Sequence, residues 1–89
     1  ASRDALMACL EAWKSGRTIT SLQEQQPPIF VIEDQWHERR TLEGFQILDH
    51  AQVVGSSVRF EVDVLLKPGK EKARYAVTTN PAITISRLD

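Results

Sequence analysis

The chain has 89 residues, enough for one small domain with a single hydrophobic core. Hydrophobic residues make up 42% of it and charged residues 26%, a globular composition that argues against disordered and fibrous proteins. With 11 basic and 12 acidic residues the net charge is -1, so no global field favours nucleic acid or an anionic membrane as a partner. No apolar run approaches the roughly 20 residues of a membrane-spanning helix.

The start of the chain and its cysteine content bear on its context. The chain begins Ala-Ser-Arg rather than with Met, so we expect residues 1–89 to be a single domain cut from a longer protein. Cys9 is the one cysteine and has no partner for an internal disulfide, so the cellular compartment stays undetermined.

The first predicted element is an amphipathic helix. Ser2 is a suitable N-cap, Asp4 favours the first turn, and Gly16 marks the end. The apolar residues that recur at helical spacing are Leu6, Met7, Cys9, Leu10 and Trp13. Because such a stripe must be covered, we expect the helix to pack on the inner face of a sheet.

The segment after the helix is less regular. Residues 21–24 have the capping-box pattern Ser-Leu-Gln-Glu, which predicts a short helical turn before Pro27 and Pro28. The apolar run Ile29–Ile32 is long enough for a strand, and whether that strand joins the sheet is left open. The charged segment 36–40 predicts no particular conformation.

A long strand is predicted from Leu42 to Val54. Its alternation gives one face formed by Phe45, Ile47, Asp49, Ala51 and Val53. Gly44 suggests a bulge, and Gly55-Ser56 is a natural two-residue turn into the next strand. Pairing through that turn would set Asp49 opposite Val62.

The strongest pattern is a hairpin between residues 58–66 and 71–78. Apolar and charged residues alternate on both sides, and Pro68-Gly69 suits the centre of a type II turn. With that turn at the tip, three inward pairs are predicted: Phe60 with Val77, Val62 with Tyr75, and Val64 with Ala73. The same register pairs Asp63 with Arg74 on the outer face.

The chain then breaks at Asn80-Pro81 before a last strand, Ala82–Leu88, with Ile83 and Ile85 directed inward. The predicted fold is α+β: an N-terminal helix packed on a curved antiparallel sheet of about four strands. This order of elements resembles the cystatin-like and NTF2-like group, including small uncharacterised bacterial domains of that build. The resemblance lies in the layout, which hosts enzymes, ligand binders and interaction modules alike.

A local motif also resembles the cystatins. The segment Gln52-Val53-Val54-Gly55 is similar to the Gln-Val-Val-x-Gly loop that cystatins insert into papain-like proteases, although it is one residue shorter before the glycine. The resemblance implies an inhibitory loop at this hairpin tip. The alternative is an ordinary strand end followed by a Gly-Ser turn.

Asp49 is the candidate for chemistry. On the inward face of a strand its carboxylate would be partly desolvated, as in a general acid or base. NTF2-like enzymes often hold such a group between helix and sheet, so the resemblance implies a ligand pocket formed by Asp49, Trp13, Trp36 and Tyr75. The alternatives are a bulge that turns Asp49 outward, a backbone hydrogen bond, or a position at the open rim.

Other reactive residues give weaker patterns. His37 lies between Asp34 and Glu38, but no cysteine or second histidine supports a metal site there, and none is predicted. Cys9 lies in the apolar stripe and is interpreted as a core residue rather than a nucleophile. No catalytic residue and no cofactor are assigned.

The outer sheet face combines charges of both signs, which suits contact with another protein. These residues are Arg59, Glu61, Asp63, Lys72 and Arg74. The leading hypothesis is therefore a non-catalytic accessory or protein-interaction domain, whose partner is the rest of its parent chain or another protein, with a homodimer as an alternative. The other hypotheses are a small-molecule-binding pocket, with an enzymatic or a purely binding role, and inhibition of a papain-like protease.

Overall fold

The computed structural model describes residues 2–48, 50–66 and 69–88. The elements are α1 Ser2–Lys14, α2 Ile19–Gln23, β1 Ile29–Ile32, α3 Asp34–His37, β2 Leu42–Ile47, β3 Gln52–Val54, β4 Ser57–Leu66, β5 Gly69–Thr78 and β6 Ile83–Arg87. The strands form one curled mixed sheet in the order β1-β6-β5-β4-β2, with β3 also paired to β4. The prediction of an α+β fold with an N-terminal helix on a sheet is confirmed.

Helix α1 packs on the sheet through most of the predicted stripe. Leu6, Cys9, Leu10 and Trp13 are buried, whereas Met7 is 37% exposed and was wrongly placed in the stripe. Ser2 is the first helical residue rather than a cap. The helix ends in a Schellman motif, in which Gly16 N–H donates to the Trp13 carbonyl and Arg17 N–H donates to the Ala12 carbonyl.

The two short helices begin at side-chain caps. The predicted helical turn exists as α2, but its cap is Thr18, whose hydroxyl oxygen accepts from Ser21 N–H, rather than Ser21 itself. Helix α3 was not predicted, and its last two residues fall in the segment 36–40 for which no conformation was predicted. It begins because the Glu33 carboxylate accepts a hydrogen bond from Gln35 N–H at 2.9 Å.

The β4–β5 hairpin exists with a register two residues away from the predicted one. Phe60 pairs with Tyr75 and Val62 with Ala73, and Leu66 pairs with Gly69, so Gly69 is a strand residue. On the outer face Asp63 pairs with Lys72 instead of Arg74. Because a shift of two residues preserves the alternation of faces, the predicted inward residues are still buried.

The predicted long strand from Leu42 to Val54 is two strands. Both β2 and β3 pair with β4, but Ile47 faces Val62 while Gln52 faces Arg59, so the register shifts by two residues between them. Val62 pairs with Ile47, and Asp49, the residue predicted opposite Val62, lies outside the described residues. The irregularity predicted at Gly44 is confirmed by a register shift between Leu42 and Gly44.

Strand β1 joins the sheet, which answers the point that the sequence left open. It pairs in parallel with β6, with Ile29 opposite Ile83 and Val31 opposite Ile85. The described residues form six strands, roughly consistent with the prediction of about four, but the sheet is mixed rather than purely antiparallel because β1 and β6 are parallel.

The core lies between α1 and the sheet. It contains Leu6 and Leu10 from the helix and Val62, Tyr75 and Ile85 from the strands, each at most 1% exposed. Burial of such side chains contributes about 1.5–3 kcal/mol each. None of the helices formed by the described residues has the length and apolar character needed to span a membrane.

Candidate functional site

Two of the four predicted pocket residues come together. The rings of Trp13 and Trp36 stack with centroids 5.6 Å apart and planes inclined by 9°. Trp13 Nε1 donates to the Arg40 carbonyl at 3.0 Å, and Trp36 Nε1 donates to the Arg17 carbonyl at 3.2 Å. These bonds tie the turn after α1 to the turn after α3.

The other two do not share that place. Tyr75 belongs to β5, and its side chain is buried in the core, where its hydroxyl donates to Glu33 Oε2. Asp49 lies outside the described residues. The pocket predicted around Asp49 therefore stays a prediction, and the described part of it divides between the tryptophan pair and the core.

A cleft of about 570 Å³ opens beside the stacked rings. Two segments form its walls: residues 13–23, from the end of α1 into α2, and residues 36–41, from α3 toward β2. Each wall turns at a residue with positive φ, Gly16 at 85° and Arg39 at 63°. Arg39 and Arg40 N–H groups donate back to Trp36 and Gln35, so α3 also ends in a Schellman motif.

The charge of the cleft is one-sided. Lys14 and Arg17 line the first wall, and His37, Arg39 and Arg40 line the second. Among the described residues no aspartate or glutamate lines it, although the chain as a whole carries a net charge of -1. We call these four Lys and Arg residues with the cleft they line the basic cleft. Such an arrangement attracts anions, and more strongly where the walls exclude part of the solvent.

Arg40 connects the basic cleft to buried charges. Its guanidinium donates to Gln35 Oε1 at 2.6 Å and lies 3.7 Å from Glu71 Oε2. Glu71 in turn accepts from Arg87 Nη2, and Arg87 Nη1 lies 3.3 Å from Glu33 Oε1. Arg40 is therefore held in place by a series of alternating charges that ends in the core.

Glu33 is the innermost member of that series and is 1% exposed. Burial, together with the charge of Glu33, raises the pKa of the Tyr75 hydroxyl. Burial, with a smaller effect of Glu33, also raises the pKa of the Cys9 thiol to about 12. Burial alone would lower the pKa of Arg87, but the Glu71 hydrogen bond and the Glu33 charge outweigh it and raise that pKa.

Sequence reasoning missed this series of charges although a signal was present. Glu33 follows Ile29 and Val31 at a spacing of two, and Arg87 follows Ile83 and Ile85 in the same way. The strand period therefore places both charges on the inward face, where a buried charge needs a partner.

The remaining candidates lie elsewhere. At the β3–β4 hairpin tip, Val53 is 75% exposed and Val54 is 39% exposed, although the alternation had placed Val53 on the inward face. Gly55 occupies a two-residue turn with φ of 61°, since Val54 pairs with Ser57. Within the described residues, no group of three or more His, Cys, Asp or Glu side chains is placed to bind a metal.

The fold and the cleft define an α+β domain with a cleft lined by basic side chains at one end of α1. Comparison of the chain with protein-family models, with curated proteins and with solved structures gave no match. The resemblance to the cystatin-like and NTF2-like group stays a prediction. The site is therefore interpreted from its own geometry.

Proposed function

We propose that this domain is a non-catalytic accessory or protein-interaction domain, and that the basic cleft is where it binds an anionic partner. The observation that carries the proposal is the charge of the lining: four Lys and Arg side chains with no described carboxylate among them. Thr18, Thr20 and Thr41 also line the cleft and add hydroxyls that can donate hydrogen bonds to an anion.

The stacked tryptophans support the proposal because they give the cleft a firm base. Trp13 is 4% exposed and Trp36 is 8% exposed, and each indole N–H is bonded to a backbone carbonyl of the opposite wall. A site with fixed walls loses less conformational entropy when a ligand binds.

The test is an NMR titration of the labelled domain with three anions: citrate, pyrophosphate and poly-L-glutamate. We expect at least one of them to shift amide resonances of residues 13–20 and 36–41, and Arg17→Gln to weaken that response. The control is Arg59→Gln, which removes the same charge from the exposed outer face of β4. Shifts confined to the sheet, or no shifts with any anion, would refute the proposal.

A second candidate function is inhibition of a papain-like protease by the β3–β4 hairpin tip. The observation that favours it is the exposure of Val53, because an apolar side chain at a protruding tip is available to fill an enzyme cleft. Papain activity should then fall when the domain is added, and Val53→Asp should restore it. Full papain activity at high micromolar domain concentration would end this candidate.

A further inference from the structure

We infer that the anionic partner of the basic cleft is an acidic peptide segment of another protein, bound in an extended conformation. This inference rests on the proposed function and adds the chemical class of the ligand. Three features of the cleft decide between an acidic peptide, a small anion and a nucleic acid: its volume, the state of its aromatic rings and the distribution of its charges.

The volume argues against a small anion. A cleft of about 570 Å³ is far larger than the roughly 30 Å³ that one water molecule occupies in the liquid. It falls in the usual range of roughly 300–1,000 Å³ for sites that hold larger organic ligands. A single carboxylate or phosphate would reach only part of the lining, whereas several residues of a peptide would reach both walls.

The aromatic rings argue against a nucleobase. Proteins that bind single-stranded nucleic acid stack the bases on exposed aromatic faces. Here Trp13 and Trp36 stack on each other, and their small exposed fractions leave no free ring face. Both indole N–H groups are also bonded to backbone carbonyls. Recognition therefore depends on the cationic side chains and the threonine hydroxyls.

The distribution of charge favours a chain of carboxylates. The cations are divided between the two walls, with Lys14 and Arg17 on one and Arg39 and Arg40 on the other. Successive side chains of an extended peptide point in opposite directions. A run of consecutive Asp or Glu residues therefore presents carboxylates to both walls at once, while main-chain groups remain available to Thr18 and Thr20.

Arg39 places a positive charge on the second wall at a cost in backbone conformational energy. It adopts φ of 63°, a conformation that glycine accepts and other residues adopt at a cost. Residues kept in such a conformation are concentrated at functional sites. Arg39 therefore offers a variant, Arg39→Gly, that should weaken binding while the fold becomes more stable.

A substitution at Glu71, the ion-pair partner of Arg40, should have the opposite effect on binding. The charge of Arg40 is partly offset by Glu71, which lies 3.7 Å away and is itself about one-third exposed. Glu71→Gln keeps an oxygen that accepts from Arg87 but removes the competing negative charge. An acidic ligand should then bind more tightly.

The experiment measures the anisotropy of a fluorescein-labelled dodecapeptide of alternating Asp-Asp and Glu-Glu pairs with the whole domain. We expect Arg17→Gln and Arg39→Gly each to weaken binding about two- to five-fold, in line with single exposed charge pairs. Glu71→Gln should strengthen it by a similar factor. Arg59→Gln and Lys72→Gln, on the exposed outer face, should leave it unchanged.

Arg39→Gly must also raise the urea midpoint of unfolding, which shows that weaker binding does not come from a damaged fold. Two comparison ligands are a twelve-residue oligothymidylate and pyrophosphate. If either binds the cleft more tightly than the peptide, the inference is wrong and the proposed anion site stands. If none of the three ligands binds, or if the outer-face variants weaken the binding of all three as much as the cleft variants do, both proposals fail.

Discussion

Glu33 is a carboxylate buried in the core, and the fold tolerates its burial because both carboxylate oxygens accept hydrogen bonds. It caps α3 through Gln35 N–H, accepts from the Tyr75 hydroxyl and lies against Arg87. A buried charge with fewer partners would cost several kcal/mol. Glu33 is thus a structural residue that supports the cleft from within, since α3 carries one of its walls.

The first prediction concerns this residue. Glu33→Gln keeps the shape but removes the charge that faces Arg87, so we expect the free energy of unfolding to fall by about 3 kcal/mol. Urea denaturation followed by tryptophan fluorescence measures it. The matched control is Glu61→Gln, whose side chain is 37% exposed and 3.5 Å from His50, and which should change stability by less than about 0.5 kcal/mol. Equal losses in the two variants would contradict the role given to burial.

At the scale of the elements, the two helix ends shape the cleft. Both α1 and α3 end in Schellman motifs, and the residues that reverse the chain are Gly16 and Arg39. Each turn directs the chain so that its cations line the cleft. The two turns reach their conformation at different cost, because glycine has no Cβ and arginine has one.

The second prediction follows for Gly16. Gly16→Ala places a Cβ on a residue with φ of 85°, so we expect a loss of about 1 kcal/mol in stability although no atom lies within 4 Å of that Cβ. The control is Gly44→Ala, whose Cβ would lie an ordinary 4.0 Å from Leu65 Cβ. Thermal unfolding of both variants decides the point. A Gly16→Ala variant as stable as the parent protein would show that the turn is not strained.

The third prediction is the reverse change at Arg39. Replacing it with glycine relieves the positive φ of 63°, so stability should rise by about 1 kcal/mol. Arg39→Lys is the control, because it keeps both a Cβ and a charge and should not be stabilised. A destabilised Arg39→Gly protein would mean that contacts of the arginine side chain outweigh the backbone cost.

For the whole molecule, burial of two weak acids contributes to the loss of stability in alkali. The pKa of Cys9 is raised from 9.0 to about 12, and that of Tyr75 is also raised. In the unfolded chain each group loses its proton near its ordinary pKa, whereas in the folded chain it keeps the proton. Their contribution to the free energy of unfolding is therefore fully present below about pH 9. It is lost as the pH rises from the ordinary pKa of each group through its raised pKa in the folded protein.

The fourth prediction tests this with Cys9. Between about pH 9 and pH 12 the thiol should cost the folded state about 1.4 kcal/mol for each pH unit, so Cys9→Ala should lose less stability than the parent protein over that interval. Urea denaturation at pH 7 and at pH 10.5 measures the difference. Parallel losses in the two proteins would show that the thiol does not contribute.

The fifth prediction uses the single tyrosine of the chain. Because the pKa of Tyr75 is raised, tyrosinate absorbance should not appear near pH 10 in the folded protein and should rise only as the protein unfolds. Absorbance and tryptophan fluorescence recorded in one alkaline titration should therefore change together. Tyrosinate that appears well before unfolding would contradict a buried Tyr75.

Much of the architecture could be predicted because it depends on local pattern. The helical stripe, the β4–β5 hairpin and the turn at Gly55 all come from spacing and turn residues that act within a few positions. The hairpin register was two residues off, since the expected turn centred on Pro68-Gly69 placed Gly69 at the tip rather than in the strand. Both registers bury the same faces, so hydrophobicity could not choose between them.

The sequence by itself determined which faces are apolar, where the main helix and hairpin lie, and that one small core joins them. Tertiary structure decided the rest: the parallel pairing of β1 with β6, the stacking of Trp13 on Trp36, and the position of four Lys and Arg residues around one cleft. These contacts join residues far apart in the chain. Local periodicity carries no information about such partners, because it records which side of an element is buried and not what covers it.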